Sequence, residues 1–109
     1  MIAAMVMRED RCLAAASDPM LLATDLADAL VKSGVPFRSA HELVGKAVAE
    51  SVKSGVPLDA LDLTAIDPAF TDPMKSVFSL ETALAARINP GAPSEANVKR
   101  EIERWKALL

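Results

Sequence analysis

His41 is the only histidine of the sequence, and histidine is the side chain that titrates near neutral pH without help from its surroundings. It borders the apolar face of a predicted helix, and no serine, cysteine or aspartate stands near it at a spacing typical of a catalytic triad. The sequence therefore favours a packing or capping role for His41 over a role as a general base.

Asp25 and Asp28 lie three residues apart on another predicted helix, where two carboxylates could share a proton or a cation. Lys32 follows Asp28 by four residues, a spacing that stabilises an exposed helix face. Exposed pairs of this kind are common and contribute little free energy. We therefore expect an exposed acidic face here.

The other candidates for chemistry are weaker. Cys12, the only cysteine, has no disulfide partner, no zinc-ligand spacing and no nearby base, so we predict a small core residue. The loop at 89–94 has one glycine and two prolines and makes a poor phosphate cradle. Three glutamates, Glu95, Glu101 and Glu103, dilute a basic cluster of Lys99, Arg100, Arg104 and Lys106. The sequence thus predicts no catalytic, cofactor-binding or metal-binding residue.

Length and charge narrow the class of protein. The 109 residues fit one domain with a core of its own, and the formal charge of −3, with acids and bases interspersed, argues against nucleic acid as a partner. No apolar run reaches the roughly 18 residues of a membrane-spanning helix, and Met1–Met7 lacks the basic start of a signal peptide. We expect a soluble, cytoplasmic protein.

Composition and periodicity predict an all-α fold, because alanine, leucine, glutamate, lysine and arginine are plentiful and tyrosine is absent. Asp18-Pro19 should start a helix that reaches about Ser33. Its apolar side comprises Leu22, Leu26, Ala29 and Leu30, opposite Thr24, Asp25, Asp28 and Lys32.

A second helix should run from Pro36 or Phe37 to Ser54. The 3.6-residue period assigns its apolar face to Phe37, Ala40, Val44, Ala47, Val48 and Val52. Gly45, at the margin of that face, costs about 1 kcal/mol against alanine, so we expect another backbone to come close to it.

The hexamer VKSGVP occurs twice, at 31–36 and 52–57. In each copy a lysine complements the negative end of the helix dipole, a glycine supplies a left-handed residue, and a proline prevents continuation. No third copy occurs, and the residues before the two copies differ, which disfavours a repeat protein. We predict helix ends with positive φ at Gly34 and Gly55.

The rest of the chain predicts shorter elements. Two Asp-Pro pairs favour short helices and turns between Leu58 and Ser79, and Ser79 should cap a helix through Ala86. A last helix should start at Pro93-Ser94, with an apolar stripe of Val98, Ile102, Trp105 and Leu109 in which Trp105 anchors the helix. The sequence thus predicts a small bundle of about four main helices.

The residues at 22–45, LATDLADALVKSGVPFRSAHELVG, resemble the C-terminal domain of argininosuccinate lyases. The family pattern is close to LATDLADYLVxKGxPFRxAHxxVG, and the chain departs from it mainly at Ala29, where an aromatic residue is usual. Upstream, 6–11 resembles the family's approach to this domain, with Cys12 where methionine is common. Downstream, the family's closing elements match roughly at Ser79, Arg87, Gly91 and Pro93. The resemblance covers essentially the whole chain.

The resemblance implies a single helical domain at 1–109, with 1–17 as a lead-in from the central domain of a longer, homotetrameric enzyme. That enzyme cleaves argininosuccinate to arginine and fumarate in arginine biosynthesis and the urea cycle, without a cofactor. Its serine loop, SSxMPxKxNP, and its catalytic histidine belong to earlier domains, and Asn89-Pro90 is only a two-letter match to that loop. The isolated chain should therefore be inactive.

Two alternatives stay open on the sequence alone. The chain could be an independent helical interaction module that binds a partner through Met1–Met7 or the Leu109 end. It could also be one piece of a split lyase that needs its missing domains in trans. In the full enzyme the apolar segment Met1–Met7 would lie near the central body, so the isolated chain loses that cover, and the methionines of the segment adapt readily to irregular contacts. We expect self-association through Met1–Met7 at high concentration.

Overall fold

The computed structural model describes residues 4–109, and within that range the regular structure is entirely helical, as predicted. The α-helices are α1 (Glu9–Ala16), α2 (Ala23–Lys32), α3 (Phe37–Ser54), α4 (Leu63–Ile66), α5 (Leu80–Ala85) and α6 (Glu95–Leu108). Short 3-10 helices lie at Pro19–Leu22, Leu58–Ala60 and Asp72–Phe78. Among the helices of residues 4–109, none combines the length and hydrophobicity that a membrane-spanning segment requires.

The start of α2 follows the Asp18-Pro19 signal. A carboxylate oxygen of Asp18 accepts a hydrogen bond of 2.9 Å from the backbone N–H of Met20, and a 3-10 turn leads directly into the helix. The last residue of this turn and three residues of α2 have buried side chains: Leu22, Leu26, Ala27 and Leu30. One face of α2 thus enters the core as predicted, but Ala27, which was not assigned to that face, is buried, whereas Ala29, which was, is only partly buried.

The first hexamer ends α2 through a Schellman motif. Gly34 has φ +101°, its N–H donates to the Val31 carbonyl at 3.0 Å, and the N–H of Val35 donates to the Leu30 carbonyl at 3.0 Å. A side chain at that φ would be strained, so glycine is required.

The second hexamer ends α3 in another way. Gly55 has φ +71°, and its N–H donates to the Ser51 carbonyl at 2.9 Å, the single bond of the αL motif. The Ser51 hydroxyl donates to the Val56 carbonyl at 2.7 Å. Both predicted positive φ angles are therefore confirmed, although the two helix ends differ in their hydrogen bonds.

The buried face of α3 differs in part from the prediction. Ala40, Val44, Ala47 and Ser51 are buried, whereas Phe37 and Val52 are 64% and 72% exposed. Ser51 takes the position in the core because its hydroxyl is satisfied by the hydrogen bond to Val56, which removes the penalty of burying it. Assigning Phe37 and Val52 to the core face was wrong.

Gly45 lies on the exposed side of α3, and a methyl group built on it would meet nothing within 4 Å. The prediction that another backbone approaches this glycine is therefore wrong for the described residues. Within them, Gly45 is a helix-interior glycine without a packing reason.

The core forms where α2 packs against α3, and the segment between Leu58 and Phe78 covers the pair. Phe70 is the largest fully buried side chain, and it lies in a turn where Asp67 accepts a hydrogen bond of 2.8 Å from the Ala69 N–H. The short helices and turns predicted for this segment are confirmed.

Two serines cap the later helices as predicted. The Ser79 hydroxyl accepts from the Thr82 N–H, and the Ser94 hydroxyl accepts from the Asn97 N–H, each at 3.4 Å.

Helix α1 has no buried residue, and its Cys12 is exposed. The prediction of Cys12 as a core residue was wrong, since no element of the described range 4–109 covers that side of α1.

Candidate interaction surface

An ion pair joins α2 to Arg87, which lies just beyond the end of α5. The guanidinium of Arg87 lies 3.0 Å from the carboxylate of Asp25, and the two side chains are 36% and 18% exposed. Arg87 also donates to the backbone carbonyl of Ala83, one turn earlier. Asp25 is thus half-buried and paired, whereas the sequence predicted an exposed acidic face; Asp28 is exposed, as expected.

The ion pair lies in a cleft of about 310 Å³ between α2 and α5, called here the α2–α5 cleft. Thr24, Asp28 and Lys32 line one wall, and Ala83 and Ala86 line the other. Both partners of the ion pair also line the cleft, so the carboxylate of Asp25 is paired within it. The pair is suited to holding α5 against α2.

His41 is exposed on α3, where its Nδ1 lies 3.3 Å from the Phe37 carbonyl oxygen. Its ring stacks at a tilt on the Phe37 ring, with 4.3 Å between the centroids. In the described part of the chain these contacts keep His41 within its own helix. The structural role favoured by the sequence stays a prediction.

Titratable groups do not cluster into a site. Residues 4–109 contain no group of three or more histidine, cysteine, aspartate or glutamate side chains placed to hold a metal ion. The pKa of Asp62 is lowered by hydrogen bonds, first from the Thr64 hydroxyl at 2.6 Å and then from the Ala65 N–H. The pKa of Glu95 is lowered by Lys99, through a hydrogen bond and its charge. Both effects are local to helix ends on the surface.

The most distinctive surface is the apolar side of α6, called here the α6 stripe and formed by Val98, Ile102, Trp105 and Leu109. Each of these side chains is at least 46% exposed, and Trp105 is 59% exposed. The sequence predicted that Trp105 anchors the helix, and within the described residues it does not.

Grooves flank the α6 stripe on both sides. One, of about 510 Å³, is bounded by Gly91, Pro93 and Trp105, and the other, of about 530 Å³, by Leu84, Ala85 and Lys99. Val98 and Ile102 line both grooves and form the ridge between them. This shape is a ridge with two channels, into which side chains of another helix would fit.

The charged side chains of α6 are largely paired along the helix itself. Three ion pairs link side chains three or four residues apart: Glu95–Lys99, Glu101–Arg104 and Glu103–Lys106. The N–O distance is 3.2 Å in Glu101–Arg104 and 2.9 Å in Glu103–Lys106. The basic cluster is thus balanced by the glutamates, as the sequence indicated. This helix therefore offers an apolar stripe between neutralised flanks.

Asn97 holds the loop that leads into α6, a role that sequence reasoning missed. Its buried amide nitrogen lies 2.7 Å from the Asn89 carbonyl oxygen and 3.0 Å from that of Ala92, and its amide oxygen accepts from Arg100 at 2.6 Å. An asparagine three residues after the Ser94 cap was the available signal. The start of α6 is thereby fixed to the loop that precedes it.

The apolar start of the chain is exposed as far as the structure describes it. Met5, Val6 and Met7 are all exposed, while Met1 and Ile2, on which the expected self-association also rests, lie outside the described residues.

A protein-family model described as "Argininosuccinate lyase C-terminal" matches residues 20–85. Curated relatives match nearly the whole chain. An argininosuccinate lyase of Frankia casuarinae is 41% identical over 111 aligned residues, which cover 99% of this chain and 24% of the relative. An argininosuccinate lyase of Roseiflexus castenholzii is 44% identical over 105 residues, covering 94% and 23%. The chain thus spans about a quarter of the length of the relatives it matches.

Proposed function

The chain belongs to the argininosuccinate lyase family, and from this premise we propose that it serves as the C-terminal domain of an enzyme that cleaves argininosuccinate to arginine and fumarate. One observation carries the proposal. Among residues 4–109, every buried hydrophobic residue, from Leu22 to Ala83, lies inside the 20–85 range that the family model matches. The part of the chain that the family model matches is therefore the part that packs as a unit.

In this function the domain supports a catalytic centre built by the rest of the lyase and supplies no catalytic group. Elimination needs a base to remove a proton and an acid to assist the leaving nitrogen, and both must be held in position. The contacts of His41 with Phe37 and of Asp25 with Arg87 leave these candidates engaged within the domain, which supports a scaffold role.

The wider assignment follows the family. The single domain would comprise 1–109, with 1–17 as its lead-in, and the complete enzyme would be a cytoplasmic homotetramer of arginine biosynthesis that uses no cofactor.

The test is a chimera in which this chain replaces the C-terminal quarter of the Frankia casuarinae lyase. Because the two sequences are 41% identical over this region, we expect the chimera to assemble and to produce fumarate, measured by its absorbance. The same lyase without its C-terminal quarter is the control. A chimera no more active than the truncated control would contradict the proposed function.

A further inference from the structure

We propose that the α6 stripe is the surface through which this domain docks on the rest of the lyase polypeptide, against an apolar helical surface without net charge. The inference rests on the proposed function and adds the docking surface and the chemistry of its partner.

The first step concerns packing within the chain. Helix α6 has 14 residues, a length at which a helix in water is marginal unless an apolar face is covered. Its cap at Ser94 and the Asn97 hydrogen bonds fix only its beginning. Beyond them, Ile102 is 47% exposed, Trp105 is 59% exposed and Leu109 is fully exposed. In the described residues, α6 is a helix whose apolar face lacks cover.

The second step concerns the chemistry of the partner. The three ion pairs within α6 already satisfy most of its charged side chains, so the helix has little free charge to offer a strongly charged partner. The two grooves beside the Val98–Ile102 ridge are wide enough to receive apolar side chains. Both features fit a helix packed ridge into groove.

The third step identifies the partner. The relatives align with 99% of this chain, α6 included, yet the aligned region is only 24% of their length. In such a polypeptide three-quarters of the chain is available, at high effective concentration, to cover the stripe. A second copy of this chain would have to supply the same cover without that advantage.

The outer face of α3 is a weaker candidate for docking. Phe37 there is already stacked on the His41 ring of the same helix, so part of its apolar surface is covered within the domain. That face therefore provides a matched control.

The experiment measures amide hydrogen exchange along α6, by mass spectrometry, in the isolated chain and in the Frankia chimera. We expect exchange in α6 to be slower in the chimera by about tenfold or more, because docking suppresses local opening. The pair of substitutions Val98→Asp and Ile102→Asp should remove that protection. Val52→Asp, which places the same charge on the exposed side of α3, should leave it unchanged.

Each other outcome overturns the inference. An active chimera with unprotected α6 would contradict the docking surface and leave the proposed function intact, whereas a wild-type chimera that fails to assemble would remove both. Loss of protection on Val52→Asp alone would assign docking to α3. A second copy would be the occupant if the isolated chain, at rising concentration, became dimeric in sedimentation, with a blue shift of its single tryptophan, Trp105, that Ile102→Asp abolished.

Discussion

The carboxylate of Asp25 and the guanidinium of Arg87 lie 3.0 Å apart although 62 positions separate the two residues in the sequence. The pair links the chain just beyond α5 to the first turn of α2. The apolar periodicity of the two segments does not predict this contact, because it joins polar side chains that are far apart in the sequence.

Replacing Asp25 with alanine should lower the free energy of unfolding by about 1–3 kcal/mol, because a half-buried guanidinium loses its charged hydrogen-bond partner. Asp28→Ala, on the same helix but at an exposed position, is the control and should change stability by less than about 0.5 kcal/mol. Urea unfolding followed by circular dichroism measures both. Equal effects of the two substitutions would show that the ion pair contributes nothing specific.

Substituting the glycines at the helix ends and the glycine inside α3 should change the stability of the protein in opposite directions. Gly34→Val and Gly55→Val should each destabilise by more than about 1 kcal/mol, because valine is strained at positive φ. Gly45→Ala should stabilise by roughly 0.5–1 kcal/mol, because its added methyl group meets open space and alanine favours the helix. Thermal unfolding of the three variants tests the account, and a stable Gly34→Val protein would contradict it.

The carboxylate of Asp62 should make the free energy of unfolding decrease as the pH is lowered. Its pKa is lowered in the folded state by the Thr64 hydroxyl and the Ala65 N–H, so its contribution is present above the unfolded pKa and is lost as pH falls through the folded pKa. Asp62→Ala should therefore flatten the acid limb of a plot of urea midpoint against pH. Asp59→Ala, in the preceding turn, serves as the comparison, and an unchanged slope for Asp62→Ala would refute this effect.

The isolated chain should release no fumarate from argininosuccinate at any pH, because the proposed function assigns the base and the acid to other domains. In the Frankia chimera, His41→Ala should preserve turnover, since His41 contacts Phe37 of its own helix. Absorbance assays across pH measure both. Fumarate formed by the chain alone and abolished by His41→Ala would make His41 catalytic.

The segment Met1–Met7 should drive weak association of the isolated chain at high concentration. Burying several exposed apolar side chains gains roughly 25 cal/mol per Å². Sedimentation should give a concentration-dependent mass for the intact chain and a constant monomer mass for a version that starts at Arg8. Constant monomer masses for both would rule this association out.

The sequence predicted the fold well where the signals were local. The Asp18 cap, the two VKSGVP helix ends and the Ser94 cap each involve residues a few positions apart, so their physics is contained in short segments. The bounds of α3 followed from its proline and glycine in the same way.

The misassignments share a different cause. Periodicity shows that a side chain is apolar and on a given face, but not whether another element covers it. Cys12 and Trp105 were therefore assigned to packed surfaces, and both are exposed in the described residues. The prediction for Asp25 was wrong in the opposite direction: it was expected to be exposed and is partly buried, because its partner, Arg87, lies far along the chain.

The position of the core within the chain has a consequence for how a cell makes the protein. A ribosome adds residues from the N-terminus, and the last buried hydrophobic residue, Ala83, precedes all of α6. A nascent chain therefore holds every side chain of the hydrophobic interior before the first residue of α6 has been translated. Since domains fold as units during synthesis, the interior can close first and α6 is added to a domain that is already formed.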